Sequence, residues 1–510
     1  MKKHILVLMA AIVLSKAAAF AKDMVLSYYY GASEISDAYL VSLTIPIVIF
    51  GMIGTGIATG YTPLYNEIVR EHGPARGVRF TNHLINLTLI ACTILFLPVL
   101  AFPKIVVRMF ASGFSSTAMD TAVTFTRISI IGIYFIGIFY VFEAFLHQNG
   151  SYSISGFSAL PVNLLVMAAI AISVKTDKLV LSIGSVISVI LHTLSLIYFS
   201  YRKGYRYHFG LDFRDTYLKK MILLVLPLII GSSAYQINQV VERTIASQIA
   251  VGGITTLSYA QKLVSFIKDI FVLSIVTVLY PNISRMAAGS HMISFKKTVS
   301  DAAVGICLLM IPSTIGVMIF SKPIIELLFR RGAFDANAVS MTSEALFFYS
   351  LGMTALGIRS VLVKAFYSLK DVKTPVKNSA ISIVSNILLN VLLAKSFGIA
   401  GLALASSISG GLAVSLLYFS LKNKIGPMDI KSFAASLLKI ILISLGMGLA
   451  AKLFFEILKT ILNQNLSLLL SVFLGAAFYL AGISYSKIAM VDTMRELLAA
   501  KIKSLSRLNT

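Results

Sequence analysis

Long apolar segments alternate with short connections rich in Gly, Pro and charged residues along the chain, up to about position 486. A helix that crosses a bilayer needs roughly 20 mostly apolar residues. The pattern therefore predicts an all-α integral membrane protein with about fourteen transmembrane helices. The predicted spans are 4–30, 37–61, 83–107, 120–146, 156–174, 179–200, 221–250, 256–284, 298–320, 338–368, 376–395, 398–421, 432–458 and 466–486.

The first predicted span also resembles a secretory signal peptide, because two lysines precede an apolar run that ends in Ala19-Phe20-Ala21. Lys16 interrupts that run, however, and the apolar pattern continues past Asp23 into Met24-Val25-Leu26. We therefore expect one long helix that is not cleaved.

The distribution of Lys and Arg among the connections predicts the orientation of the chain. An even number of spans puts both termini on the same side of the membrane. The N-terminus, the even-numbered connections and the C-terminal tail carry more than twice as many Lys and Arg as the odd-numbered connections. The positive-inside rule then places both termini in the cytoplasm.

The two halves of the chain have features of an internal repeat. Asp23 precedes Tyr39 by sixteen residues, and Arg243 precedes Tyr259 by the same spacing. Six spans per copy would make the copies parallel, while chance resemblance among apolar helices is the alternative. The predicted division is an N-terminal lobe at 1–210 with spans 1–6, a C-terminal lobe at 211–425 with spans 7–12, spans 13–14 at 426–490, and a basic cytoplasmic tail at 491–510.

Composition supports a membrane protein and argues against several other functions. Hydrophobic residues make up 57% of the 510 positions and charged residues only 13%, too few to cover a water-facing surface. The net charge of +23 is scattered among the connections, so no nucleic-acid partner is expected. The sequence contains no Gly-rich ATPase loop, no HExxH motif and no metal-spaced cysteines. We therefore expect a transporter rather than an enzyme, with no bound cofactor or metal.

Basic residues inside the predicted spans need an explanation, because each would cost about 2.5–3.5 kcal/mol at a helix centre. Ten of them lie at least four positions inside the ends of their spans: Lys16, Lys22, Arg127, Arg243, Lys262, Lys268, Arg359, Lys364, Lys439 and Lys452. Four of them are expected to reach the interface from near helix ends: Lys439, Lys452, Arg127 and Lys364. Two neighbouring pairs are open to either a packing or a site role: Glu242 with Arg243, and Lys268 with Asp269.

The remaining intramembrane lysines predict the chemistry of the substrate. Lys16 and Asp23 are seven residues apart and share nearly one helical face, and Lys262 and Asp269 repeat that spacing. Asp23 is a single acid near two lysines of the first span, so the group stays positive if Lys262 joins it. A surplus of lysines in a watery cavity suits a phosphate or diphosphate. The sequence therefore predicts an anionic substrate.

Further motifs along the chain are distinctive: Ser15-Lys16 with Phe20-Ala21-Lys22-Asp23, Asp37-Ala38-Tyr39, Tyr259-Ala260-Gln261-Lys262-Leu263, Leu279-Tyr280-Pro281, Arg331-Gly332-Ala333-Phe334 and the string from Ala365 to Val376. Together they resemble the MurJ (MviN) lipid II flippases of the multidrug/oligosaccharidyl-lipid/polysaccharide exporter superfamily. The resemblance implies two six-helix lobes around a central cavity, and a groove for the lipid tail at spans 13–14. It also implies a location in the bacterial cytoplasmic (inner) membrane.

The cargo implied by the resemblance is lipid II, undecaprenyl-diphosphate-linked disaccharide-pentapeptide. It would move from the inner to the outer leaflet by alternating access, for peptidoglycan synthesis. Basic residues of the first and eighth helices would contact the diphosphate. The substrate-binding candidates are then Lys16, Lys22, Asp23, Lys262, Arg243 and Arg359, with Asp37 and Glu242 as supporting residues.

Departures from the family pattern keep alternatives open. Family members usually carry Arg at the positions of Lys16, Lys22 and Lys262, and lysine lacks the two-pronged phosphate geometry of arginine. A flippase for another polyprenyl-diphosphate-linked oligosaccharide therefore stays open, as does a drug or cation exporter of the same superfamily with less support. A membrane enzyme would need clustered acids or histidines near an interface, and a scaffold would leave the intramembrane cations unexplained.

The sequence gives only general expectations about the partners of the protein and the driving force for transport. We expect membrane lipids around a monomer, and coupling to Na⁺, H⁺ or the membrane potential. Asn238, Asn386 and Asn390 are the nearest candidates for an ion site, although buried asparagines in membrane proteins commonly join helices.

Overall fold

The computed structural model describes residues 2–210, 212, 214–288, 292–492 and 495, and these residues are helical apart from short connections. The predicted all-α fold is therefore confirmed. The helices are α1 (Lys2–Tyr30), α2 (Glu34–His72), α3 (Pro74–Ala101), α4 (Pro103–Phe110), α5 (Ser116–Ser129), α6 (Gly132–Gln148), α7 (Tyr152–Ser173), α8 (Leu179–Arg202), α9 (Thr216–Ile249), α10 (Gly253–Ala288), α11 (Met292–Ile319), α12 (Ser321–Phe329), α13 (Ala336–Leu351), α14 (Met353–Ser368), α15 (Lys373–Ile425), α16 (Ile430–Leu458) and α17 (Gln464–Ser484).

Length and composition identify which helices could cross a membrane. Among the described residues, α2, α3, α8, α11, α15, α16 and α17 qualify alone, and the bent pairs α5–α6 and α13–α14 raise the number from seven to nine. α15 has 53 residues and breaks at Gly398, where φ is +56°. Its length of about 80 Å far exceeds the roughly 30 Å bilayer core, so it supplies two passes. α1, α7, α9 and α10 are not among these nine, but with them, and with α15 counted twice, the described helices correspond one to one with the fourteen predicted spans.

The order of the helices repeats between the two halves of the chain. α3 is followed by the short helix α4 and the bent pair α5–α6, just as α11 is followed by the short helix α12 and the bent pair α13–α14. The two bends are 46° and 41°. The α1–α2 and α9–α10 turns both contain a glycine at positive φ, +58° at Gly31 and +77° at Gly252. This order is what the predicted six-span repeat requires, while the lobe boundaries at 210 and 425 stay predictions.

The chain forms two compact units. The first comprises the chain up to Tyr259 together with Phe329–Ala338, and the second comprises Ala260–Leu328 and the chain from Val339 onward. α9, the beginning of α10 and the α12–α13 connection thus belong with the first six predicted spans. α10 begins in the first unit and continues in the second.

α2 is the central helix of the first unit and packs against α5, α6 and α9. A Cβ atom on Gly56 would lie 2.5 Å from Cγ1 of Val225, and one on Gly54 would overlap the ring of Tyr140. α2 is nevertheless a continuous helix that includes two prolines. Its glycines therefore allow close helix packing, as small residues do in membrane bundles.

The second unit contains the pair α16–α17, which packs beside α11. Ile440, Met447 and Tyr479 are buried there together with Cys307. The Tyr479 hydroxyl donates a hydrogen bond of 2.7 Å to the Leu308 carbonyl oxygen. Next to this contact, an apolar cavity of about 460 Å³ is lined by α10, α11, α12, α16 and α17.

Candidate functional site

The predicted lysines of α1 lie near a buried carboxylate. The Asp23 side chain is only 4% exposed, and its Oδ1 lies 3.8 Å from Nζ of Lys22, whose side chain is 25% exposed. Lys16 is half-buried on the same helix. A buried carboxylate therefore lies beside an ammonium group that is partly accessible to solvent.

Asp37, predicted as a supporting residue, contacts the beginning of α10. It is 2% exposed, and its Oδ1 accepts hydrogen bonds from the backbone N–H and the hydroxyl of Thr255, at 2.8 and 2.6 Å. The first N–H groups of a helix have no partner within that helix. The Asp37 carboxylate thus caps α10 from another helix, as an acidic residue does favourably at a helix N-terminus.

The segment 329–338, which contains the connection between α12 and α13, contacts the end of α1. The Ala333 N–H donates to the carbonyl oxygen of Tyr28, at 2.8 Å. Gly332 has a φ of +61°, and a Cβ atom there would collide with the same carbonyl oxygen. Only a residue without a side chain fits this close approach without strain.

Aromatic rings connect this segment to two helices. The ring of Phe329 stacks on that of Tyr259 with 4.7 Å between centroids, and it meets Phe20 of α1 edge-on at 5.7 Å. Phe20 lies between Lys16 and Lys22 in the chain. The hydrogen bonds and rings make one packed group in the first unit. We call it the turn cluster, defined as Tyr28, Gly31, Asp37, Thr255, Tyr259 and residues 329–338.

Glu242 and Arg243 lie on α9, in the same unit. Glu242 is buried and Arg243 is half-buried. The neighbouring Thr244 hydroxyl donates to the Met109 carbonyl oxygen at 2.7 Å, which joins α9 to α4. The two residues therefore lie on a helix whose C-terminal part is fixed to the first unit.

At its other end, α9 is joined to α2 by exposed polar contacts. Nζ of Lys220 lies 2.7 Å from Oε1 of Glu67, and the Tyr217 hydroxyl donates to Oε2 of Glu71 at 2.8 Å. The Lys220 and Glu67 side chains are 47% and 32% exposed. Solvent screens exposed polar contacts of this kind, so each contributes little to stability, whereas water cannot replace a buried hydrogen bond to a carboxylate. These exposed contacts are therefore weaker than the buried hydrogen bonds of the turn cluster.

Two further candidates belong to the second unit. Lys262 is half-buried near the beginning of α10, and Arg359 is half-buried in α14. Nη2 of Arg359 donates to Oγ of Ser379 at 2.9 Å. The α1 residues, Asp37, Glu242 and Arg243 belong to the first unit, and Lys262 and Arg359 belong to the second. That these residues form one site stays a prediction.

One of the asparagines considered for an ion site, Asn386, joins two helical segments. Nδ2 of Asn386 donates to Oγ of Ser409 at 3.0 Å, and Nδ2 of Asn390 donates to Oδ1 of Asn386 at 3.1 Å. The first bond joins the two arms of α15, on either side of Gly398. Asn238 lies half-buried on α9. The Asn386–Ser409 contact is the kind expected of residues that join helical segments in a membrane.

Sequence reasoning did not identify Thr255 as a site residue. A Gly-Gly turn followed by two threonines at the start of α10 is a local signal for a helix N-terminus. Nothing local connects that signal to Asp37, because the two residues are 218 positions apart.

Comparison with known proteins places these features in a family. Residues 26–486 match the family described as Lipid II flippase MurJ. The probable lipid II flippase MurJ of Haemophilus influenzae is 28% identical over 459 residues, which cover 86% of this chain and 89% of the relative. That of Thermotoga maritima is 24% identical over 487 residues, which cover 95% of this chain and 96% of the relative.

Solved structures agree with the family match. A lipid II flippase MurJ in an inward closed conformation has a TM-score of 0.83 and 25% identity, over 97% of this chain and all of that one. An inward-facing multidrug resistance MATE transporter of the MOP superfamily has a TM-score of 0.67 and 13% identity, over 81% of this chain and 98% of that one. The second likeness shows the fold alone. The family match begins after Lys16, Lys22 and Asp23, so their roles rest on the first-helix motif and on geometry.

Proposed function

The chain belongs to the lipid II flippase MurJ family, and we therefore propose that it moves lipid II from the inner to the outer leaflet by alternating access. The observation that carries this proposal is the family match over residues 26–486. The paired charges inside α1 support it, because an anionic headgroup needs cations where it crosses the membrane. The protein acts as a transporter in the bacterial inner membrane, with both termini in the cytoplasm, and works as a monomer.

In this proposal, Lys16, Lys22 and Lys262 attract the diphosphate. Lysine binds phosphate as a mobile point charge, and it releases the ligand more readily than an arginine fork does. Asp23 keeps the Lys22 ammonium in place at 3.8 Å. Arg243 and Arg359 add positive charge, while Glu242 and Asp37 have structural roles.

The two sets of contacts made by α9 and α10 support an alternating cycle. The charge bias puts the turn cluster at the outer side of the membrane, where its buried hydrogen bonds must break before the headgroup can leave. The α2–α9 ion pair lies at the opposite end and is exposed. Because exposed pairs contribute less than buried ones, we propose that the inner side opens readily and that the outer side opens only with substrate bound.

The apolar cavity beside α16 and α17 supports a route for the polyprenyl tail. Its lining is almost entirely apolar and includes Phe271, Pro312, Phe320 and Leu480. Transfer of each methylene from water to apolar surroundings gains about 0.8 kcal/mol, so a long isoprenoid stays in lipid or in such a groove. We propose that the tail occupies this groove while the headgroup crosses.

The membrane potential can supply the driving force. An inside-negative potential favours outward movement of an anion by about 2.3 kcal/mol per charge for each 100 mV. A diphosphate therefore gains energy when it moves outward without a coupled ion. We propose the potential as the driving force, with Na⁺ or H⁺ coupling as the alternatives.

Complementation tests the proposal. A bacterium depleted of its own lipid II flippase should grow when this chain is expressed, and the double variant Lys22→Ala with Lys262→Ala should not support growth. Lys452→Ala is the matched control, because Lys452 is another lysine of a spanning helix and is exposed on α16. Failure of the well-expressed wild type would contradict the lipid II assignment. Full rescue by the double variant would contradict the role of the lysines.

A second candidate function is transport of another polyprenyl-diphosphate-linked oligosaccharide. It is favoured by the lysines at positions where the family usually has arginine. Binding of lipid II and of an undecaprenyl-diphosphate-linked glycan without peptide, measured side by side on the purified protein, distinguishes the two. Tighter binding of the glycan would replace the lipid II assignment.

A further inference from the structure

A polar cavity lies between α3 and the α8–α9 connection, within the first unit and apart from the turn cluster. Its volume is about 950 Å³. Three arginines and three histidines contribute to its lining: Arg76, Arg79, Arg206, His72, His83 and His208. This is a concentration of possible positive charge that the proposed flipping mechanism does not use.

The α8–α9 connection is fastened to α3 by side-chain amides. Nδ2 of Asn82 donates to the Arg206 carbonyl oxygen at 3.1 Å, and Nδ2 of Asn86 donates to the Gly210 carbonyl oxygen at 2.6 Å. Both asparagines are buried. The cavity therefore has a fixed wall on this side rather than a loose loop.

A buried carboxylate, that of Asp215, holds the α8–α9 connection against α3 at a second point. Asp215 is 4% exposed, and its Oδ2 lies 2.8 Å from Nη2 of Arg76 and 3.2 Å from Nδ1 of His83. Its Oδ1 accepts from the N–H of Tyr217 in the first turn of α9. Asp215 thus neutralises the charge of Arg76 and also caps the N-terminus of α9.

The charges that remain favour an anion. With Arg76 compensated by Asp215, the cavity still contains Arg79 and Arg206 against Asp212 alone among its lining acids. The surplus is positive before any histidine is protonated. Arginine also matches phosphate oxygens with two parallel donors, so a phosphate group is the ligand chemistry that fits.

Aromatic side chains around the cavity indicate a lipid rather than a soluble phosphate. Phe209 on the α8–α9 connection is 89% exposed, and Tyr198 on α8 is 57% exposed. The Arg206 guanidinium lies over the Tyr201 ring, 5.8 Å from its centroid. Exposed aromatic residues next to basic ones are typical of the membrane–water interface, where headgroup phosphates lie.

We propose that this cavity binds the phosphate of an anionic phospholipid of the inner leaflet. The charge bias places the cavity on the cytoplasmic side, where anionic lipids attract basic pockets between helices. The bound lipid would bridge α3 and the α8–α9 connection, and it would stabilise the beginning of α9 through Arg76 and Asp215. This inference does not rest on the proposed flipping of lipid II.

Native mass spectrometry of the full chain, titrated with phosphatidylglycerol or phosphatidylcholine, tests the proposal. The wild type should bind phosphatidylglycerol in preference to phosphatidylcholine. A basic residue near an anionic surface contributes about 1 kcal/mol to the free energy of lipid binding, and each 1.4 kcal/mol corresponds to a tenfold change in affinity. The variant Arg79→Gln with Arg206→Gln should therefore bind phosphatidylglycerol roughly 30-fold more weakly, and Arg79→Gln alone roughly 5-fold more weakly.

Controls separate this site from general surface charge. Arg70→Gln removes an arginine whose side chain is 79% exposed on α2, outside the cavity lining, and it should leave phosphatidylglycerol affinity unchanged. An equal loss in Arg70→Gln, or no loss in Arg79→Gln, would overturn the proposal. The single variant keeps the test valid if the double variant does not fold, because Arg206 also donates to the Tyr201 and Tyr205 carbonyl oxygens.

Two further arms identify the source of the phosphate. Inorganic phosphate that displaces phosphatidylglycerol and binds with equal affinity would show a soluble anion site and overturn the lipid assignment. Phosphatidylglycerol binding that is lost in Lys22→Ala with Lys262→Ala, but kept in Arg79→Gln, would place the lipid at the substrate lysines instead. Loss in Arg79→Gln with normal binding in the lysine variant supports the cavity.

Discussion

Replacing Thr255 by Val should open the turn cluster with little change in side-chain shape. The substitution removes the hydroxyl that donates to Asp37 at 2.6 Å and keeps the backbone N–H that donates at 2.8 Å. Asp37 is 2% exposed, so water cannot replace the lost donor while the cluster is closed. A hydrogen bond to a charged group is worth about 1.5–3 kcal/mol, which would shift the closed-to-open ratio roughly 10- to 100-fold.

Cysteine labelling measures this shift. Ala32 is half-buried and packs against Gly252, so a cysteine at position 32 reports on opening of the α1–α2 turn. The native Cys92 and Cys307 are buried and can be replaced by serine to give a clean background. A membrane-impermeant maleimide added outside the cell should label Ala32→Cys roughly 10- to 100-fold faster when Thr255 is Val.

Thr256→Val is the matched control for this experiment. Thr256 is also fully buried, but its hydroxyl donates to the Gly253 carbonyl oxygen within the same helix, at 3.1 Å. Its loss should therefore weaken α10 locally without releasing Asp37. Equal labelling rates in Thr255→Val and Thr256→Val would refute the reasoning, because they would show that the bond between helices does not hold the cluster closed.

Two other contacts give predictions about stability. Gly332→Ala should lower the melting temperature in detergent more than Gly150→Ala does. Both glycines have positive φ, which costs alanine about 1–2 kcal/mol, but only at Gly332 would the new Cβ meet a backbone oxygen, that of Tyr28. Equal decreases would contradict the close approach. In the α14–α15 connection, a hydrogen bond from the Lys424 ammonium lowers the pKa of Asp371 from its ordinary 3.8 to about 2. This contribution to stability is complete above pH 4 and is lost as the pH falls towards 2. Asp371→Asn should therefore melt below the wild type at pH 7 and level with it near pH 2, and an offset that is the same at both pH values would contradict the assignment.

The helices and their order could be predicted from the sequence because their signals are local. Apolar length predicts a span, and a glycine or proline predicts its end. The break of α15 at Gly398 coincides with the first residue of the predicted span 398–421 for this reason. The predicted span 83–107 was less accurate, because α3 ends at Ala101 and α4 begins at Pro103. Apolar residues continue across that break, so hydropathy alone does not detect it.

The turn cluster could not be predicted in the same way, because its contacts join distant parts of the chain. Asp37 was recognised as a motif residue, yet its partner Thr255 is 218 positions away. The Arg331-Gly332-Ala333-Phe334 motif was also recognised, but the reason for its glycine is the Tyr28 carbonyl oxygen on α1. A motif identifies which residues are unusual, whereas the contact that explains them appears only when the chain is folded.

α1 combines the predicted substrate contact with part of the turn cluster, and this arrangement has a mechanical consequence. Lys22 lies between Phe20, which meets Phe329, and Tyr28, whose carbonyl oxygen accepts from the Ala333 N–H. Tyr28 lies six residues after Lys22, a distance of about 9 Å along one continuous helix. In the proposed mechanism, a diphosphate that draws Lys22 towards itself would therefore act on the same helix that the 329–338 segment contacts. Coupling between two sites requires an element whose position both of them influence, and α1 meets that requirement without any longer path through the protein.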